Sequence, residues 1–343
     1  MKALVLKEYN KLVYEEVPEP EVGDEDVLIR VKACGICGSD VHGLDGSTGR
    51  RIPPLIMGHE AAGVVAELGR RVSDLKAGER VTFDSTIYCG SCDYCLNGEI
   101  NLCDSRRVIG VSCDEYRRDG AFAEYVAVPR RCVYRIPESL SFEAASIVEP
   151  LSVAMHAVGR VNVPAGRTAV VIGAGMIGLL IVQVLKARGC GPVFAVDLDT
   201  ERLALAVELG ADEGLNPEKK DIPAEILART GSRGAHLAFD AVGLSSTFRT
   251  ALGSISKGGA LVLVGNFSPD IEMPLQKTVV REISIYGSCA SAGEYPECLE
   301  MLSSGAVSTD KLISASAPLA EGAAWFDRLY RGEKGLIKVC LLP

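Results

Sequence analysis

Thr168-Ala169-Val170-Val171-Ile172-Gly173-Ala174-Gly175-Met176-Ile177-Gly178 is the stretch that decides the fold. Its first five residues make a continuous apolar run, as a strand covered on both faces requires. Residues 176–188 then carry apolar side chains at helical spacing. Between them lies G-x-G-x-x-G. Alone that pattern is weak evidence; between a buried strand and a helix it signals dinucleotide binding. Gly173 permits the tight turn, Gly175 lets backbone approach a pyrophosphate, and Gly178 lets helix and strand pack closely. Met176 and Ile177 open the helix, whose first N–H groups and partial positive charge suit phosphate.

Downstream, a second strand at 193–196 ends in Asp197, 24 residues after Gly173. A carboxylate there accepts hydrogen bonds from ribose hydroxyls and repels a 2′-phosphate, so NAD is expected over NADP. Arg202 pulls the other way, but Asp197 and Asp199 outweigh it. Thr200 is the expected N-cap of a helix over 202–209, with Gly210 as its stop. Strands expected at 237–240, 260–264 and 283–286 alternate with helices, which makes an α/β doubly wound parallel sheet. Val242, Gly243, Val264, Gly265 and Ser288 are expected to line the nicotinamide.

Upstream, residues 1 to about 150 read as short β-branched or alternating runs (27–32, 63–68, 80–83, 121–128) broken by Gly and Pro, a β-rich domain. This half contains Cys37-Gly38-Ser39-Asp40-Val41-His42 and Gly58-His59-Glu60. Cys37 and His59 are a soft thiolate and an imidazole, the ligand pair zinc prefers. Ser39 and His42 bring a hydroxyl and a second imidazole close to Cys37. Such a grouping could strip a proton from an alcohol and pass it to water. Asp40 is expected to keep a structural role in the turn. Further on, Cys89, Cys92, Cys95 and Cys103 give C-x2-C-x2-C-x7-C, four thiolates within fifteen residues. They can close a tetrahedron around zinc with no position left for substrate. An iron–sulfur cluster is the rival, but no electron partner is near, so zinc is favoured. Cys113, Cys132, Cys190, Cys289, Cys298 and Cys340 are scattered, and most are expected to be small core or half-exposed residues.

The 343 residues suggest two domains of roughly 150 each. A formal charge of −9 with no basic run argues against nucleic acid or an anionic membrane as partner. The opening apolar run is too short for a signal peptide and no run is long enough to span a bilayer, so the cytoplasm is the default expectation. Twelve cysteines in that setting point to metal or redox chemistry rather than disulfides.

In chain order the motifs are G-I-C-G-S-D-x-H, G-H-E, the four-cysteine lobe, Glu149-Pro150-Leu151-Ser152 and the glycine turn. Together they resemble the zinc-containing medium-chain dehydrogenases of the alcohol dehydrogenase superfamily, and most the polyol (sorbitol or iditol) branch. The match spans nearly the whole chain. The resemblance implies a GroES-like catalytic domain over 1–152 bearing the structural zinc lobe, a Rossmann NAD-binding domain over 153–287, and a segment 288–343 returning to the catalytic domain. It implies Cys37, His59 and Glu60 as catalytic zinc ligands. Glu149 stands where other alcohol dehydrogenases have a cysteine ligand, so it either binds the zinc or hydrogen-bonds its water. It implies Ser39 as acceptor of the alcohol proton, passed by way of the cofactor ribose to His42. It also implies a homodimer or homotetramer and a small-molecule secondary alcohol, a polyol or sugar alcohol, oxidised to a ketone. Two departures touch the substrate: Gly43 replaces an aromatic, and Cys289-Ala290-Ser291 replaces an Arg–Tyr pair. A sugar phosphate or threonine is therefore the alternative substrate, and an NAD-sensing zinc protein the alternative outside catalysis.

Overall fold

Two hydrophobic periods, one of two residues and one of 3.6, build two units. The structure, a computed structural model, describes residues 1–113 and 116–343. Residues 1–149, 291–305 and 309–343 form one compact unit, and 150–290 with 306–308 the other.

The first unit is organised on the strand Asp26–Gly35, which buries Val27, Ile29, Val31, Ala33 and Cys34. It pairs antiparallel with Glu60–Leu68, with Tyr125–Pro129 and, at its end, with Lys338–Leu342. Arg80–Phe83, Val133–Arg135 and Ile313–Pro318 complete a seven-stranded sheet. The core beneath it includes Leu4, Ile29, Phe83, Phe122, Phe326 and Leu341. Phe122 meets Phe326 edge to face at 5.6 Å. The strand expected over 121–128 begins only at Tyr125. Before it the chain turns Phe122 into the core and hands the Phe122 carbonyl to the Leu4 N–H. The closing strand sits two residues later than the run 336–340 suggests.

The second unit is a six-stranded parallel sheet. Its strands lie in the order Glu213–Leu215, Val193–Val196, Ala169–Ile172, Ala235–Asp240, Ile255–Leu263 and Ser284–Gly287. Numbered along the chain this is 3-2-1-4-5-6, which places the switch in winding beside Ala169–Ile172. The helix Met176–Ala187 follows, with Gly175 as N-cap and residues 178–185 all buried. Gly173 has φ +93°, and a Cβ on Gly178 would lie 1.8 Å from the Gly173 carbonyl oxygen, so the turn closes only on these glycines. One expectation is corrected here. Asp199, not Thr200, caps the helix Thr200–Glu208, because its carboxylate accepts the Glu201 and Arg202 N–H groups. Among the described residues no helix is long and apolar enough to cross a membrane.

Candidate metal centre, sulfur lobe and cofactor turn

Strand register gathers the first site. Gly35 lies opposite Glu60 across one pairing and opposite Cys340 across the other. Cys37, two residues beyond the first strand, therefore meets His59, which precedes the second, and Lys338 arrives from the third. Cys37, His59 and Glu60 each offer a ligand atom, and these atoms lie within 4.8 Å of one another. Cys37 is half-buried; His59 and Glu60 are buried.

Cys37 is also the N-cap of the helical turn Gly38–Val41, which buries Asp40 and leaves Ser39 exposed. Asp40 is 0% exposed, a high desolvation cost for a carboxylate unless it is paired. Two groups pair it. Arg51 donates through Nε and Nη2 to Oδ1, at 3.0 and 2.9 Å. His59 Nδ1 lies 3.4 Å from Oδ2, and among the described residues neither of those two atoms has a hydrogen-bond partner. Burial would raise the Asp40 carboxyl, yet His59 and Arg51 bring it down to about 2. A carboxylate facing Nδ1 favours by its charge the ring orientation in which Nε2 serves as the ligand atom. Burial disfavours a charged imidazole, but Asp40 and Cys37 outweigh it and hold the His59 pKa well above its ordinary value. Thiolate, imidazole and carboxylate are donors that suit zinc, so the residues fit the metal.

Lys338, only 3% exposed, donates to Glu60 Oε2 at 2.5 Å and to the Ile36 carbonyl at 3.0 Å. Burial opposes its charge, and Glu60 and Cys37 restore it, raising the pKa. Glu149 stands outside the set of ligand atoms within 4.8 Å. Burial pushes its carboxyl up to about 7, opposed by His59 and reinforced by Glu60. Glu60 is thus the carboxylate grouped with Cys37 and His59, while Glu149 feels the same charges from farther off. His42 ends the helical turn and is exposed.

Sequence reasoning gave Asp40 only a turn role and missed Arg51 and Lys338. One signal was available: a lysine inside the apolar run Leu336-Ile337-Lys338-Val339-Cys340 needs a buried counter-charge. Ser291, in the stretch that replaces the Arg–Tyr pair, is buried and donates to Asp84 Oδ2 at 3.4 Å, so it is turned inward. Asp84 also accepts the Thr86 N–H, yet burial lifts its carboxyl to about 7.

The second metal site is local. Cys89, Cys92, Cys95 and Cys103 bring their sulfurs within 4.8 Å of one another. The Ser91 and Cys92 N–H groups donate to Cys89 Sγ, and the Cys89 N–H to Cys103 Sγ, at 3.2–3.4 Å. The Ser91 N–H, then the Ser91 hydroxyl and the Cys92 N–H, draw the Cys89 thiol down to about 6. The intervening helix Asp93–Leu96 buries no residue, so that turn is not held by an apolar core. Four thiolates fit a closed zinc site. Of the scattered cysteines, Cys132, Cys190, Cys298 and Cys340 are buried and Cys289 is exposed; the Cys113 side chain lies outside the described residues.

In the second unit Asp197 accepts the Ala174 N–H at 2.7 Å and the Asp199 N–H at 2.9 Å, one on each oxygen. Each oxygen keeps a second lone pair for a ribose hydroxyl. Arg202 lies in the first turn of the next helix. Asp240, unnoticed in the sequence, accepts the Val242 and Gly243 N–H groups and the Thr247 hydroxyl. The same residue's carbonyl accepts the Val264 and Gly265 N–H groups. One residue therefore organises both loops expected to receive nicotinamide, while Ser288 bonds the Leu263 carbonyl just beyond the sixth strand.

Residues 23–138 match the alcohol dehydrogenase GroES-like domain, and residues 177–304 the zinc-binding dehydrogenase domain. The chain is 35% identical over 348 residues to a sorbitol dehydrogenase of Bacillus subtilis (strain 168), covering 100% of this chain and 97% of the relative. It is 33% identical over 338 residues to a D-arabitol-phosphate dehydrogenase of Enterococcus avium, covering 97% and 94%. A protein of Sinorhizobium meliloti 1021, described as a zinc-binding dehydrogenase and solved with NADP, superposes with a TM-score of 0.92 at 32% identity, over 100% of this chain and 99% of the other.

Proposed function

Because the chain belongs to the zinc-binding dehydrogenases of the alcohol dehydrogenase superfamily, enzymes that use zinc and a nicotinamide cofactor, we propose that it oxidises a secondary alcohol of the polyol or sugar-alcohol class to a ketone, with NAD as hydride acceptor. The observation that carries this reading is the open donor set Cys37, His59 and Glu60, with Ser39 exposed two residues after Cys37. A zinc ion held by these three would act as a Lewis acid toward the alcohol oxygen, and the nicotinamide would accept the hydride. Ser39 takes the hydroxyl proton and His42, exposed at the end of the same turn, delivers it to solvent. Asp40 holds the His59 ring and Lys338 holds Glu60. Glu149 offers a second carboxylate, poised near neutrality, to accept a hydrogen bond from a hydroxyl.

Gly173, Gly175, Met176, Ile177 and Gly178 receive the pyrophosphate, and Asp197 the ribose. The negative charge of Asp197 favours NAD, although the Sinorhizobium meliloti relative was solved with NADP. The substrate class rests on the sorbitol and arabitol-phosphate relatives. Domain limits at 1–152, 153–287 and 288–343 remain our division of the activity along the chain. We place the protein in the cytoplasm, where a four-thiolate site stays reduced. We further assign a homodimer or homotetramer to the apolar segment 267–280. There Phe267, Leu275, Val279 and Val280 are each more than 60% exposed, shortly before Ser284–Gly287, the outer strand of the six in the sheet.

The test is an NAD-reduction screen of zinc-loaded protein over polyols, sugar phosphates, threonine and simple alcohols. NADH formation fastest with a polyol is expected. Fastest turnover of threonine or a sugar phosphate would move the substrate class, and no NADH with any alcohol would favour an NAD-sensing role.

A further inference from the structure

Arg51 does more than neutralise Asp40. Arg51 is 3% exposed, and Nη2, besides reaching Asp40, donates to Ser39 Oγ at 3.1 Å. Nη1 donates to the Arg50 carbonyl at 3.2 Å, so each arm of the fork is committed. The side chain reaches this position only because residue 43 has none: a Cβ on Gly43 would stand 2.3 Å from Arg51 Cγ. The sequence leaves that space open and the guanidinium fills it.

We propose that Arg51 is a positioning residue for proton transfer, fixing the hydroxyl of Ser39. The proposal rests on Ser39 being the first proton acceptor. A serine oxygen has two acceptor sites and one proton. A guanidinium can only donate, so it occupies one acceptor site and the serine proton must point elsewhere. One acceptor site remains for the incoming alcohol proton. In the step the alcohol O–H breaks and a new O–H forms on Ser39. The original Ser39 O–H breaks as its proton moves toward the His42 imidazole and solvent, and the electron pair of the departing C–H leaves with the hydride to NAD. Arg51 gains and loses nothing. Its fixed charge steadies the negative charge that gathers on Oγ as the serine proton leaves ahead of the arriving alcohol proton.

Arg51→Lys tests this, because lysine keeps a cation beside Asp40 but lacks the second arm that reaches Ser39. Expected are an unchanged zinc content and melting temperature, an unchanged KM for NAD, a kcat lower by about tenfold, and a larger solvent deuterium isotope effect on kcat. In a Ser39→Ala background the same substitution should leave the residual rate unchanged. Equal losses in both backgrounds, or no loss in the parent, would overturn the proposal. Loss of zinc or of folding in Arg51→Lys would also overturn it, by assigning Arg51 to the Asp40–His59 pair alone. Near-full activity of Ser39→Ala would instead sink the role of Ser39 itself, an outcome distinct from the others.

Discussion

Cys89, Cys92, Cys95 and Cys103 come from fifteen consecutive residues and lean on their own backbone N–H groups, on a loop with little buried surface. Cys37, His59 and Glu60 are gathered by the pairing of strands and held from outside by Asp40, Arg51 and Lys338, all buried. The first arrangement makes metal binding and loop folding one event, since the loop has little else to fold around. The second is gathered by strand pairing across the sheet. Its support is apolar packing plus a relay of buried charges, so its ligands can include a carboxylate held by Lys338 and leave room for a substrate. A closed site carries its own scaffold, whereas an open site borrows one.

The comparison can be broken most strongly at Cys37. Cys37→Ser is expected to cut turnover by a factor of about a thousand or more while the lobe keeps its metal, read from NADH formation and zinc per chain. Loss of both zinc ions would show that the sites are not independent. Cys103→Ser should do the reverse. It should empty the lobe and lower the melting temperature, with the Cys37 site still binding metal; full retention of lobe metal would contradict a four-sulfur site.

Lys338→Met sharpens the borrowed-scaffold idea. It leaves Glu60 buried without its cation, a loss of about 3–5 kcal/mol for a broken buried pair. Zinc affinity at the Cys37 site should change by about 10–100-fold, while the lobe stays unchanged. Metal competition with a chelator measures both, and equal shifts at the two sites would contradict the account.

The smallest effect is expected at Asp84, which links the strand Arg80–Phe83 to the segment leading into the lobe. Burial holds its carboxyl near 7, against an ordinary value of 3.8. Between those two values the folded chain keeps a proton that the unfolded chain has released. Stability therefore falls as pH rises through that window and levels off above it. Asp84→Asn should flatten the slope, seen as a smaller difference between melting temperatures at the two ends of the window. An unaltered slope would mean that Asp84 is ionised in the native protein.

The glycine turn and the sulfur lobe could be read directly because each is local: spacing alone brings the groups together. Cys37 and His59 were legible as residue types, but what holds them was not. Glu60 and Lys338 lie 278 residues apart and meet only because the last strand pairs beside Gly35. Arg51 gave no pattern of its own, since its partners depend on the bare backbone of Gly43. The false start of the strand at 121 has a similar origin: alternation is present there, but burial of Phe122 decides the path. Asp240 was missed because a carboxylate ending a strand looks the same whether it meets ligand or its own loops.

The most direct test is a count of metal per chain by native mass spectrometry, before and after a chelator mild enough to spare the lobe. Two zinc ions are expected at first. One should remain after chelation, with NADH formation abolished and the fold intact. A single zinc at the start, iron with labile sulfide, or full activity after removal of one ion would contradict the account.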